Sequence, residues 1–147
     1  MTPVMGKTWG IRAAFVLALL APTAAAAETI AGPIAAEVLA AVDGDTLGVR
    51  ARIWPGIAAA AAVRLRGLDA PELKGKCPAE RQAAARAQAR LKELAGRAVT
   101  LTEIAPDKFG GRVLARVRGA DGRELAQVLI AEGLARPYAG GKRGGWC

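Results

Sequence analysis

The sequence predicts an α+β domain that is mainly β: five strands curled into a small barrel, with a helix after the third strand and a short helix after the fifth. Three observations predict it. Apolar and polar residues alternate with period two in separate stretches, as where Leu47, Val49, Ala51 and Ile53 oppose Gly48, Arg50 and Arg52. Turn chemistry divides those stretches: Asp-Gly-Asp at 43–45, Trp-Pro-Gly at 54–56 and Ala-Asp-Gly at 120–122. From Pro78 onward a longer stretch changes to helical spacing.

Each element follows in order. Ile34 to Val42 is apolar, broken by Glu37, and reads as the first strand; Thr46 to Ile53 is the second. Ala58 to Leu68 is the third, with Val63, Leu65 and Gly67 on one face and Arg64 and Arg66 on the other. Pro78 opens a helix at a position where its missing N–H costs nothing, and Glu80 suits the first turn. Ala84, Ala87, Leu91 and Leu94 share its apolar face, Arg81, Arg86, Arg90, Lys92 and Arg97 decorate it, and Gly96 stops it. Ala98 to Ile104 is the fourth strand, "APDKFGG" a loop, and Arg112 to Arg118 the fifth strand, with Val113, Ala115 and Val117 facing inward. Leu125 to Glu132 is a short helix ended by Gly133, and the glycine-rich tail is expected to be irregular. This order fits a five-stranded Greek-key barrel of the OB type; an α+β roll fits the same order.

The first 27 residues have another character. Lys7 and Arg12 precede an apolar run from Ala13 to Ala21, and Ala25-Ala26-Ala27 offers a small-residue cleavage site. We read residues 1–27 as a signal peptide and 28–147 as the mature domain, secreted or periplasmic and without a membrane anchor after cleavage. An uncleaved anchor is the competing reading, but the run is too short to span a bilayer and Pro22 follows it. The formal charge of +8 falls to +6 when Lys7 and Arg12 leave, and a small domain this basic suits a polyanionic partner. In an oxidising compartment Cys77 and Cys147 read as one disulfide, closing a loop of about 70 residues worth roughly 4 kcal/mol at most.

The chain contains no histidine. A Ser-His-Asp triad and any His-metal site are therefore excluded, and acid–base work falls to carboxylates, lysines, Tyr138 or water. Four acids lie between residues 43 and 72: Asp43, Asp45, Asp69 and Glu72. In a meander of the first three strands, Asp45 opens the second and Asp69 closes the third, so their ends meet. Two carboxylates held close require a cation or proton between them, and oxygen ligands alone favour calcium or magnesium. Arg64 points to the same edge, and its fork suits phosphate. Glu72 remains as a base. Ordinary turn chemistry accounts for the same acids, which then only hold backbone.

The segments "VDGDTLGV", "VRLRGLDAPE", "DKFGGRVLA" and "GLARPY", in this order and spacing, resemble the staphylococcal-nuclease-like (thermonuclease) family across about residues 36–138. The resemblance implies an OB barrel and a calcium-dependent nuclease that cuts DNA and RNA with little sequence choice, single strands preferred, leaving 3′-phosphates. It implies that Asp45, Asp69 and the carbonyl of Ala70 ligate calcium, that Glu72 is the general base, and that Arg64 and Arg112 hold phosphate. It places Lys108 and Phe109 beside the nucleotide. The chain is expected to act as a monomer without a stable protein partner. The family's tyrosine is Phe109 here, and one additional glycine precedes Arg112. The long C-terminal helix of the best-known member is replaced by a short tail in which Cys147, bonded to Cys77, is the expected clamp. The alternative reading is an OB-fold module that binds single strands and scarcely cuts them. Trp54, Tyr138 and Trp146 are expected to pack in the core or tail rather than to stack bases.

Overall fold

A computed structural model describes residues 28–147; the signal-peptide reading lies outside the described residues. Five strands close into a barrel: β1 (Ile34–Asp43), β2 (Thr46–Trp54), β3 (Ile57–Leu65), β5 (Ala98–Pro106) and β6 (Arg112–Arg118), in the spatial order β1-β2-β3-β6-β5. Every seam is antiparallel except β3 with β6, which is parallel. Helix α1 (Pro78–Ala95) follows the β3 region, and α2 (Leu125–Ala131) follows β6. This mixed, closed barrel is the OB-type architecture; the roll is not formed.

The strands form where the period-two pattern runs, because one face fills the barrel. Leu47, Val49, Val63, Leu65, Leu101, Ala115 and Val117 line that interior, joined by Leu91 and Ala95 of α1 and by Leu125 and Leu129 of α2. At roughly 1.5–3 kcal/mol for each large aliphatic side chain removed from water, this shared core is the main stabilising term. On α1 the buried face is Ala84, Ala87, Leu91 and Ala95; Leu94 is only half-buried. The helix begins with Cys77 as N-cap, its sulfur accepting from the N–H of Glu80.

Two parts differ from the sequence expectation. The third strand does not run on to Leu68. Gly67 takes φ 89°, which breaks the alternation, and the chain re-forms as a two-residue strand, β4 (Leu68–Asp69). The tail is not wholly irregular either. Its Arg136–Pro137 segment, β7, pairs with β4, placing Asp69 opposite Arg136. Asp69 therefore belongs to a small sheet made with the tail and not to the barrel.

Candidate active site

A cleft of about 410 Å³ opens on the outer face of the barrel, lined by Asp43, Asp45, Thr46, Arg64, Ala70, Glu72, Phe109, Arg112 and Arg143, among others. The parallel seam builds its floor. Ala62 lies beside Arg112 and Arg64 beside Leu114, so Arg64 and Arg112 emerge on the same face of adjacent strands. Gly111, at φ 79°, turns the chain into β6, and Val113, Ala115 and Val117 keep the inward face. The additional glycine thus leaves Arg112 in the cleft.

Arg64 is 8% exposed. Its Nε donates to Asp45 Oδ2 at 3.1 Å, while its Nη2 has no hydrogen-bond partner. A buried guanidinium N–H without an acceptor is costly, and an anionic ligand would satisfy it. Asp45 also accepts from the Thr46 hydroxyl at 2.7 Å. Arg112 is oriented by Asp107, with Nε–Oδ2 at 2.5 Å, and lies over the Phe109 ring at 4.9 Å. Burial pushes the Asp107 carboxyl up, but the Arg112 hydrogen bond, the Lys108 N–H and the charge of Arg64 outweigh it and hold it below its ordinary range. Phe109 lines the cleft; Lys108 does not, and its ammonium sits 5.2 Å from the Phe109 ring centre.

Asp43, Asp45 and Glu72 also line the cleft, whereas Asp69 does not. Burial raises the Asp43 carboxyl above its ordinary range; the Gly44 N–H opposes this, and the charges of Asp45 and Glu72 add to it. Asp69 is 4% exposed. Glu72 is half-exposed on a loop that Glu80 holds from below: buried Glu80 accepts from the backbone N–H groups of Glu72 (3.4 Å) and Lys76 (3.0 Å).

Sequence reasoning missed the role of the tail. The guanidinium of Arg143 pairs with Asp69, donates to Glu72 Oε1 at 2.9 Å and reaches the Ala70 carbonyl at 3.4 Å. Trp146 Nε1 donates to the other Asp69 oxygen at 3.1 Å. The Cys77–Cys147 disulfide is formed, with Cα atoms 6.0 Å apart. That bond carried the signal. Glu72 stands five residues before one cysteine and Arg143 four before the other, so pairing the cysteines draws the two together. Trp146 and Tyr138 pack within the tail as expected, Tyr138 donating to the Gly141 carbonyl at 2.7 Å. Trp54 does not pack: at the β2–β3 turn it is 69% exposed.

The donors suit a hard cation. Asp69, the Ala70 carbonyl and Glu72 offer oxygen only and already converge on one positive group, Arg143. Asp45 lies on the same cleft.

An OB barrel whose outer face sets two neighbouring arginines and several carboxylates on one cleft defines a class, a domain equipped for phosphate esters. Residues 62–143, more than half the chain, match the family described as staphylococcal nuclease homologue, and the chain belongs to that family. No curated protein matches it. The family assignment supports a nuclease, of a generally metal-dependent kind, that acts on nucleic acid. The matched segment contains Arg64, Asp69, Ala70, Glu72, Lys108, Phe109, Arg112 and Arg143, while Asp45 precedes it.

Proposed function

We propose that the chain is a calcium-dependent endonuclease that hydrolyses phosphodiester bonds of DNA and RNA, single strands preferred, with little sequence choice and leaving 3′-phosphates. The observation that carries this reading is Arg64: buried, fixed through Nε by Asp45, with an unpartnered Nη2, in the cleft that Arg112 and Glu72 share. Asp45, Asp69 and the Ala70 carbonyl would hold the calcium, which when bound supplies charge neutralisation at a phosphate oxygen. Arg64 and Arg112 bind the phosphate and stabilise the additional negative charge of its five-coordinate transition state. Glu72 orients the attacking water and takes its proton. Phe109 offers a ring to a base, with Lys108 beside it on the approach. Contacts of this kind are directed at the backbone, which is why sequence would matter little.

The protein is proposed to act as a monomer, secreted or periplasmic, after removal of residues 1–27. Among the described residues no helix is long and apolar enough to cross a membrane. Intact mass of the exported protein tests the start at Glu28. A second reading, a single-strand-binding module that scarcely cuts, draws on the pairing of Glu72 with Arg143, which engages the base. Digestion of single-stranded DNA with calcium and with a chelator separates the two. Calcium-dependent fragments with 3′-phosphates support the nuclease; retention of the strand without cleavage supports the module.

A further inference from the structure

The tail after β7 is a strap held at both ends. At one end β7 pairs with β4, and the Tyr138 N–H donates to the Gly67 carbonyl at 3.0 Å. At the other, Cys147 is bonded to Cys77 at the start of α1. Between them the Arg136 guanidinium stacks 3.6 Å from the centre of the Trp146 ring and donates to the Gly145 carbonyl at 2.7 Å. Gly140 and Gly141, at φ 107° and 90°, turn the strap back toward the cleft. Its one inward-reaching cation is Arg143, whose single guanidinium takes oxygens from Asp69, Ala70 and Glu72.

We propose that Arg143 is a built-in competitor for the cation position, kept in place by the Cys77–Cys147 bond, so that the strap gates metal entry. The proposal rests on the metal-site reading above. A lone pair of Asp69 or of the Ala70 carbonyl cannot serve a guanidinium N–H and a metal ion along the same direction, and two cations in one pocket repel. Docked, Arg143 also engages Glu72, so one side chain closes both the cation position and the base. The bond sets the competition. With Cys147 tethered, Arg143 stays a few residues from its targets at high effective concentration; with the bond open it must compete as part of a free chain end. A dithiol reductant opens it by exchange: two electrons and two protons convert the disulfide to two thiols, and the dithiol leaves as its own disulfide.

The experiment measures cation binding directly, by calorimetric titration of calcium into residues 28–147, without substrate. The forms compared are the oxidised protein, R143A, K142A, D45N and the dithiol-reduced protein, with hydrogen exchange of residues 140–147 followed in parallel. R143A keeps the disulfide, so the result does not depend on whether the reduced protein stays folded. K142A removes the neighbouring exposed charge and controls for net charge. Loss of a charge-assisted competitor should tighten calcium binding of R143A by about 10- to 100-fold, with K142A unchanged. Calcium should speed hydrogen exchange in the strap of the oxidised protein. Equal affinity in the oxidised protein and R143A, with D45N weakened, leaves the metal site standing and overturns the gate alone. Absence of binding in every form, R143A included, overturns the gate together with the site beneath it.

Discussion

At the residue scale the cleft divides its work among side chains that can be tested singly. Glu72→Gln keeps shape but cannot take a proton, so turnover should fall by about 10² or more while retention of single-stranded DNA stays; cleavage rates and gel shifts on one preparation check this. Arg112→Ala removes the proposed phosphate contact and should cost about 10²–10³ in turnover, with little change in calcium affinity, since arginine ligates no metal. Asp107 positions Arg112 and carries a pH signature. Its folded-state affinity for protons is depressed, so its contribution to stability is fully present above the ordinary carboxylate range and is lost as pH falls through the depressed value. The melting-temperature gap between wild type and Asp107→Asn should therefore be widest near neutral pH and close on acidification. That Arg64, Glu72 and Arg112 would share one cleft was legible, because chemistry and motif coincided. Asp107 and Glu80 were not, because an acid that orients a neighbour has the same local sequence as one that only caps a turn.

At the element scale the period-two pattern located the barrel strands to within a few residues, since burial of one face dictates it. It failed at Gly67, where alternation continued on paper through a residue whose backbone had already turned. It failed again at β7, because a two-residue strand has no period to read. The turn between β1 and β2 shows how closely elements meet. A Cβ on Gly44 would lie 2.8 Å from Ala87 Cβ on α1 and 3.2 Å from Ala70 Cβ. Gly44→Ala should therefore push the helix from the carboxylate turn and destabilise the fold by about 1–3 kcal/mol, read by denaturant titration. Because Ala70 is the second residue crowded, calcium affinity should weaken in the same variant.

At the scale of the whole molecule, the closure of the barrel could only be an expectation, because a roll and a barrel share one order of elements. What distinguishes them is the parallel β3–β6 seam, a pairing between segments about 50 residues apart that leaves no local trace. The pairing of the cysteines was legible from their number; what the pairing does to the tail was not, since glycine-rich sequence specifies no path. Reduction should lower the melting temperature on the order of 10 °C, from a loop-closure contribution of at most about 4 kcal/mol, as scanning calorimetry with and without dithiol would show.

The same bond has a mechanical consequence. A force applied between Glu28 and Cys147 leaves the backbone at Cys77 and crosses directly through sulfur. Residues 78–146, which include α1, β5, β6, α2 and β7, then form a ring that bears no tension along its own length. Pulled between these two residues, the oxidised domain can lengthen only by the roughly 50 residues before Cys77, to about 160–180 Å. Tension would strip β1, β2, β3 and β4 from the ring by breaking the β1–β5, β3–β6 and β4–β7 seams, while β5 and β6 keep their own pairing. The reduced chain offers no such stop and would extend to roughly 400 Å.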